Sequence, residues 1–404
     1  MSDKKPQKVY LGVGMLGNVD ASKSTTLGML ITGQKDDGNG KLRSLISRHP
    51  HEIKSGRTSD TAYHTGVFGD NRITFVDLAG HEKYLKTTIA GLGIVIPDLL
   101  LLCVDRYAPT YKMTKEHMGL AIRMKIPFVI LMTKVDLYDK ETTNDSLSLL
   151  SKVIKKSSSR GVTEVKTIED VDAVVSSYTS LASVPAFRIS NVTHEGVNLL
   201  RNFLSRITKC STSTFVHAKK FMTDRCYKVK GIGLVVSGFN GGRSISVGDK
   251  LYINGDTEAF VRSIHDDFRN EVKTLPENTR GCLAIRTSVE RVPPGSVLSF
   301  QPHQLVDGFV ARIEILSNHS TSITKGYQTV IHCGPVRRTA SVSTEGEVVF
   351  RGGMKGPLSF KFITPAYVEV GQSIFFREGR VIGDGVITEV ILVEKATGNS
   401  PRLR

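Results

Sequence analysis

No run of about eighteen apolar residues occurs in this chain of 404 residues, so no helix is expected to cross a membrane. The greasiest stretch, Ile94 to Val104, is broken by Pro97 and Asp98 and reads as a buried strand. Residues 1–6 have no apolar core, so no secretory signal is expected there. Cysteines are few. Cys103, Cys210, Cys226, Cys282 and Cys333 are odd in number and show no C-x-x-C spacing. That pattern argues against a disulfide framework or a zinc site and implies reduced thiols in the cytoplasm. Low-complexity tracts are absent, and acidic residues are outnumbered: 54 Lys+Arg against 39 Asp+Glu leaves a net charge of +15. Such an excess favours polyanionic partners, nucleic acid first among them, although a solvated basic surface would look the same. The remaining composition, 40% hydrophobic and 23% charged, is that of a globular protein long enough for two to four domains.

The stretch around which the rest is organised is residues 9–26. An apolar run of strand length breaks at Gly17, turns through a short loop and ends in Lys23-Ser24 before a helical segment reaching about Thr32. The loop follows G-x-x-x-x-G-K-[ST] with one departure, Ser22 in place of the second glycine. In such a loop, backbone N–H groups surround a phosphate and the helix N-terminus adds partial positive charge. Gly17, Asn18, Val19, Asp20, Ala21, Ser22, Lys23, Ser24 and Thr25 are therefore candidate phosphate-binding residues. The Lys23 ammonium is expected to reach the β- and γ-phosphates and the Ser24 hydroxyl to ligate Mg²⁺. If the Ser22 position requires a positive φ, its Cβ costs on the order of 1 kcal/mol. A plain strand–turn–helix with a chance Lys-Ser is the competing reading.

Residues 33–72 carry no long periodic apolar pattern and read as an irregular switch segment, with Thr58 expected to fold onto Mg²⁺ and the γ-phosphate. His49 and His51 lack the companions a metal site needs. A strand then ends at Asp77, placed to hold the Mg²⁺ through water, and opens a second switch, 77–93. In it, Gly80 has the free backbone that an N–H pointing at a γ-phosphate needs. Asp98–Asp105 and Pro127–Met132 are continuous apolar runs of the kind parallel strands show, with a helix between them over Met113–Met124. Alternating strands and helices imply a doubly wound, mostly parallel α/β domain with its ligand at the carboxyl ends of the strands. Thr133-Lys134-Val135-Asp136 is a candidate guanine reader: a carboxylate accepts from both N1–H and the 2-amino group, a donor pair adenine lacks. Residues 140–184 read as a helix and a charged, Ser-rich insertion. Ser190, Asn191 and Val192 end the last strand, with Ser190 offering its backbone to the base, before a helix over Glu195–Arg206. Each motif occurs in the right order, at a strand end or in a loop.

These motifs resemble a known family. Gly17-Asn18-Val19-Asp20, Asp77-Leu78-Ala79-Gly80-His81-Glu82-Lys83-Tyr84 and Thr133-Lys134-Val135-Asp136 look like the translational GTPases of the elongation factor Tu and elongation factor 1-alpha class. Ser55-Gly56-Arg57-Thr58, Leu85-Lys86-Thr87-Thr88, Met113-Thr114-Lys115-Glu116-His117 and Ile189-Ser190-Asn191-Val192-Thr193 look more narrowly like the eukaryotic GTP-binding protein 1 and 2 subfamily. The resemblance implies that His81 positions the hydrolytic water as the catalytic residue, that Val19 gates it, and that Asp20 holds a monovalent cation near the phosphates. Ser22, Thr133 in place of the commoner Asn, and a short segment between Thr58 and Asp77 depart from the family's usual pattern.

Beyond a linker at 211–220, short alternating segments punctuated by Gly, Asn, Asp and Pro indicate antiparallel β-barrels. The expected division is a P-loop GTPase domain over 1–210 and two barrels over 211–305 and 306–404. Arg337, Arg338, Arg351, Lys355, Arg377 and Arg380 are candidates for an RNA backbone, or equally for ties between barrel loops. The whole is expected to bind GTP or GDP with Mg²⁺, hydrolyse GTP as a conformational switch, and act as a monomer with the ribosome and a tRNA-like RNA. The alternative is a GTP-binding RNA or ribosome-interaction protein with little hydrolysis. An ATP-dependent kinase is disfavoured by Asp136.

Overall fold

The computed structural model describes residues 9–46, 62–81, 88, 91–92, 97–105, 112–180, 182–209, 220–315, 322–334, 336–343, 349–378 and 381–393. The chain divides into two units, Met1–Thr214 and Phe215–Arg404.

The first unit is a seven-stranded sheet in the order β2-β3-β1-β4-β5-β7-β6. Its strands are β1 Val9–Gly17, β2 Ala62–Phe68, β3 Asn71–Asp77, β4 Leu99–Val104, β5 Phe128–Met132, β6 Gly161–Glu164 and β7 Ser183–Arg188. All six residues of β4 and all five of β5 are buried, as expected where helices cover both faces. The described helices are α1 Lys23–Thr32, α2 Lys41–Ile46, α3 Lys112–Arg123, α4 Lys140–Ser158, α5 Ile168–Ser177 and α6 Val197–Arg206. Buried Asn71 donates to the carbonyls of Leu204 and Ile207, closing the C-terminus of α6 onto the start of β3.

Parallel register lines up the strand ends. Met15 of β1 pairs with Asp77, Gly17 with Cys103, Val104 with Met132, and Met132 with Arg188. The carboxyl ends of β1, β3, β4, β5 and β7 therefore share one edge, where the chain reverses strand order about β1 and a crevice opens.

Two parts differ from the sequence reading. Residues 33–72 hold α2 and β2, the latter antiparallel to β3. β2 is an edge strand buried at only one of its seven residues, so it leaves no apolar alternation to read. The 140–184 insertion holds α4, β6 and α5, and β6 extends the parallel sheet beside β7.

The second unit contains β8 Phe221–Val229, β9 Gly233–Asn240, β11 Lys250–Ile253, β12 Thr257–Asp266, β15 Thr279–Thr287 and β16 Val297–Ser299. They run in the order β11-β16-β8-β9-β15-β12 and close through a β11–β12 pairing into a six-strand barrel. Short strands β10 Ile245–Ser246, β13 Glu271–Val272 and β14 Thr274–Leu275 flank it. A second closed barrel is formed by β17 Val306–Ile315, β20 Lys355–Ala366, β19 Val336–Val342, β18 Gln328–Cys333, β21 Ser373–Glu378 and β22 Val381–Leu392. Closure leaves neither barrel an open edge. Among the described residues no helix is long and apolar enough to cross a membrane.

Candidate functional site

The site begins where β1 stops. Gly17 has φ 143, and a Cβ there would stand 2.4 Å from the Cys103 carbonyl oxygen, so only glycine lets β1 end this close to β4. The loop then folds on Asn18, whose side-chain oxygen accepts from the Val19 N–H at 2.8 Å. Asp20 (φ 62) and Ser22 (φ 59) both adopt left-handed backbone. The requirement for a positive φ at Ser22 is thus met by a residue with a Cβ. Ser22 is the N-cap of α1, yet its side chain caps nothing, while its carbonyl accepts the Thr26 N–H at 2.8 Å.

Lys23 is buried, and its Nζ donates to the Asn18 carbonyl at 2.7 Å. Burial holds its pKa below the usual lysine value, against the opposing charges of Asp77, Cys103 and Asp20. Gly80 lies against this ammonium: a Cβ there would be 2.4 Å from Lys23 Nζ and 2.6 Å from the Gly17 carbonyl. Ser24 donates from Oγ to Asp77 Oδ2 at 2.8 Å. Behind the loop, His117 of α3 is fully buried with neither ring nitrogen partnered. Burial, and then the charge of Lys23, push its pKa down to about 3. Cys103 is pushed up to about 12, chiefly by burial.

The base-reading segments meet the loop through Thr133, whose hydroxyl donates to the Ala21 carbonyl at 3.3 Å. Lys134 adopts left-handed backbone (φ 60) and starts the turn Val135–Leu137 that carries Asp136. Asn191 donates to the Thr26 hydroxyl at 3.0 Å, and its carbonyl accepts the Asp36 N–H at 2.9 Å. Ser190 is placed differently from the expectation. It is fully buried, its N–H donates to the Glu195 carbonyl, and its hydroxyl accepts from Val192 and Thr193. The backbone donor of Ser190 is therefore spent inside the loop, which leaves Asn191 and Val192 as the residues that face outward.

Together these residues line a cleft of about 430 Å³: Val19, Asp20, Ser22, Lys23, Ser24, Thr25, Gly80 and His81 at one end, Lys134, Asp136, Asn191 and Val192 at the other. Gly17, Asn18, Ala21 and Thr133 form its frame rather than its wall. The wall also includes Asp36, Gly38, Asn39, Gly40 and Arg43, which sequence reading left in the irregular segment 33–72, and Leu137 next to the base reader. A signal existed: Asp36 and Asp37 accept N–H groups of Gly38, Asn39, Lys41 and Leu42, as an Asp-Asp-Gly-Asn-Gly run ahead of a helix would do.

The donor set fits a Mg²⁺ ion. Ser24 and Asp77 bring a hydroxyl and a carboxylate together, and no group of three or more His, Cys, Asp or Glu side chains able to hold a metal exists among the described residues. Such a site leaves most coordination to phosphate and water, as Mg²⁺ prefers. Thr58, His49, His51 and Arg380 lie outside the described residues, and Arg377 is described for its backbone alone. In the second barrel, Arg337 and Arg351 are exposed, whereas Lys355 pairs with Glu314 across β17 and β20 at 3.0 Å.

Residues 8–212 match the family described as elongation factor Tu GTP binding domain. Over 96% of its length the chain is 35% identical to GTP-binding protein 1 of Xenopus laevis, of which it spans 64%. It is 34% identical over 95% of its length to GTP-binding protein 2 of Mus musculus, of which it spans 70%. Among solved structures, translation elongation factor SelB from Methanococcus maripaludis in complex with the GTP analogue GppNHp superposes with a TM-score of 0.70. That match covers 94% of this chain and 79% of the other at 22% identity, a likeness of fold.

Proposed function

We propose, for a chain that belongs to the elongation factor Tu GTP-binding family, a guanine-nucleotide switch that hydrolyses GTP to GDP and phosphate in an elongation-factor-like role. The observation that carries this reading is one cleft joining a buried Lys23, in no ion pair among the described residues, and the Ser24–Asp77 pair to Asp136 and Asn191. Phosphates lie over the loop, where backbone N–H groups and the start of α1 receive them and Lys23 supplies countercharge. Asp136 accepts from the guanine edge, the stem of Lys134 lies over the base plane, Asn191 and Val192 border it, and Ser190 and Thr133 brace those segments. Ser24, Asp77 (through water) and Thr58 would hold Mg²⁺, which would neutralise phosphate charge. Asp20 would hold a monovalent cation near the phosphates.

In the reaction, water attacks the γ-phosphorus, the bond to the β-bridging oxygen breaks, and GDP and inorganic phosphate leave. His81 lines the cleft beside Gly80 and orients that water, with Val19 at the gate. Release of phosphate frees Gly80 and Thr58, and with them both switches, 33–72 and 77–93. We take 1–210 as the GTPase domain and 211–305 and 306–404 as barrels that handle RNA. The net charge of +15 and the exposed Arg337 and Arg351 support a tRNA-like RNA and the ribosome as partners in the cytoplasm, with the protein acting as a monomer.

Phosphate release from GTP, with and without ribosomes, tests this reading in the wild type and in His81→Ala. GTP binding should be kept in the variant while turnover falls by roughly 10²-fold or more. Turnover unchanged in His81→Ala removes the role given to His81. Nucleotide binding without release under either condition would make the protein a silent GTP-binding RNA or ribosome partner instead.

A further inference from the structure

Ser22 performs neither task usual for a serine at a helix start. A capping serine sits in extended backbone and accepts a first-turn N–H on its hydroxyl. Ser22 sits at φ 59, ψ 23, and its side chain caps nothing. The backbone there is strained for any residue but glycine. Ser22 itself is one of the residues that line the cleft.

Its position between two fixed neighbours says what it meets there. Ala21 is held from the base-reading end by the Thr133 hydroxyl at 3.3 Å, and Lys23 is held to the Asn18 carbonyl at 2.7 Å. Ser22 is thus the middle residue between one tied to the base-reading end and the buried Lys23. In a phosphate loop, that midpoint cradles the α- and β-phosphates, which GDP and GTP share. We infer that the Ser22 hydroxyl donates a hydrogen bond to the inner diphosphate of the bound nucleotide and so sets affinity for GDP and GTP alike. A hydroxyl facing an anionic oxygen makes a charge-assisted bond, stronger than a neutral one. Glycine at this position would relax the backbone but lose that donor. The inference rests on the guanine-nucleotide reading above.

The test is calorimetric titration of the full chain with GDP and with GTP in Mg²⁺, for the wild type, Ser22→Ala and Ser22→Gly, beside thermal melts without nucleotide. Ser22→Ala should weaken both nucleotides about tenfold, the size expected of a hydrogen bond to a charged oxygen, and leave the GDP-to-GTP ratio unchanged. Ser22→Gly should melt higher than the wild type without nucleotide, its strain relieved, and still bind both nucleotides more weakly. Wild-type binding that Ser22→Ala matches or exceeds overturns this inference alone, as does a loss confined to GTP. A wild type that binds neither nucleotide overturns both this inference and the guanine-nucleotide reading.

Discussion

Lys23 in the α/β unit and Arg280 in the first barrel are both cations sealed in a packed interior, and their surroundings differ. Arg280 donates to Asp224 Oδ2 at 2.5 Å and lies 3.4 Å from Asp267, while Ser237 donates to the other oxygen of Asp224 at 2.5 Å. Burial acts to raise the Asp224 pKa, but the charge of Arg280 and the bonds from Ser237 and Arg280 override it and hold the carboxylate below its usual value. Charge and countercharge are both supplied by the chain. Lys23 forms no ion pair among the described residues; its one hydrogen bond goes to a main-chain carbonyl, and burial draws its pKa down. A buried ion pair is architecture. A buried ammonium facing a cleft without a paired carboxylate is a receptor for an anion.

The contrast is sharpest in Lys23→Ala. Removing the phosphate countercharge should abolish GDP and GTP binding at any practical concentration, while thermal melting of the protein without nucleotide barely changes, because a desolvated charge has been taken away. Calorimetry beside a melt reads both; unchanged affinity would break the comparison at its root. Arg280→Ala should do the reverse. Leaving Asp224 buried without its partner should destabilise the barrel unit by about 3–5 kcal/mol, with nucleotide affinity unchanged in protein that remains folded. Urea unfolding of the full chain reads this, and a stability equal to the wild type would mean that the pair contributes nothing.

Asp136→Asn acts at the other end of the cleft. Guanine nucleotides should bind roughly 10²-fold more weakly and xanthine nucleotides should be admitted, since the acceptor for N1–H and the 2-amino group is gone. Undiminished guanine preference in that variant would place base reading elsewhere. The effect that vanishes at neutral pH is in acid. His117 has a pKa near 3 in the folded protein against an ordinary value of 6.5. As pH falls below 6.5 the unfolded chain takes up this proton first, so stability declines from there toward pH 3, by at most about 1.4 kcal/mol per pH unit from this group. Replacing it as His117→Gln should flatten the acid limb of a stability–pH curve measured by urea unfolding; parallel curves would show that His117 does not titrate this way.

How far the site could be read in advance depended on whether chemistry or packing chose the residues. The candidate phosphate loop, Asp77, Gly80 and Asp136 stood out in the sequence because the tasks proposed for them demand fixed residue types at the ends of apolar strands. A positive φ at Ser22 was only a condition in the sequence reading, and the structure has it at φ 59. α2 and β2 were not legible: α2 buries only Leu42 and Ile46, and β2 is an edge strand half-buried along most of its length. Asp36 joins the cleft through its N–H bond to the Asn191 carbonyl, a contact between residues far apart in sequence that no local pattern announces. The N–H of Ser190 is taken up by Glu195 for the same reason, since that acceptor is set by the fold of its loop.

In the proposed guanine-nucleotide receptor, buried Lys23 serves one end of the cleft and Asp136 the other. Equilibrium titration of the full chain with GDP, GTP and ATP in Mg²⁺ tests it most directly. The account predicts that GDP and GTP bind while ATP is rejected by on the order of 10²-fold or more. ATP binding as tightly as GTP, or no binding by any of the three, would contradict it.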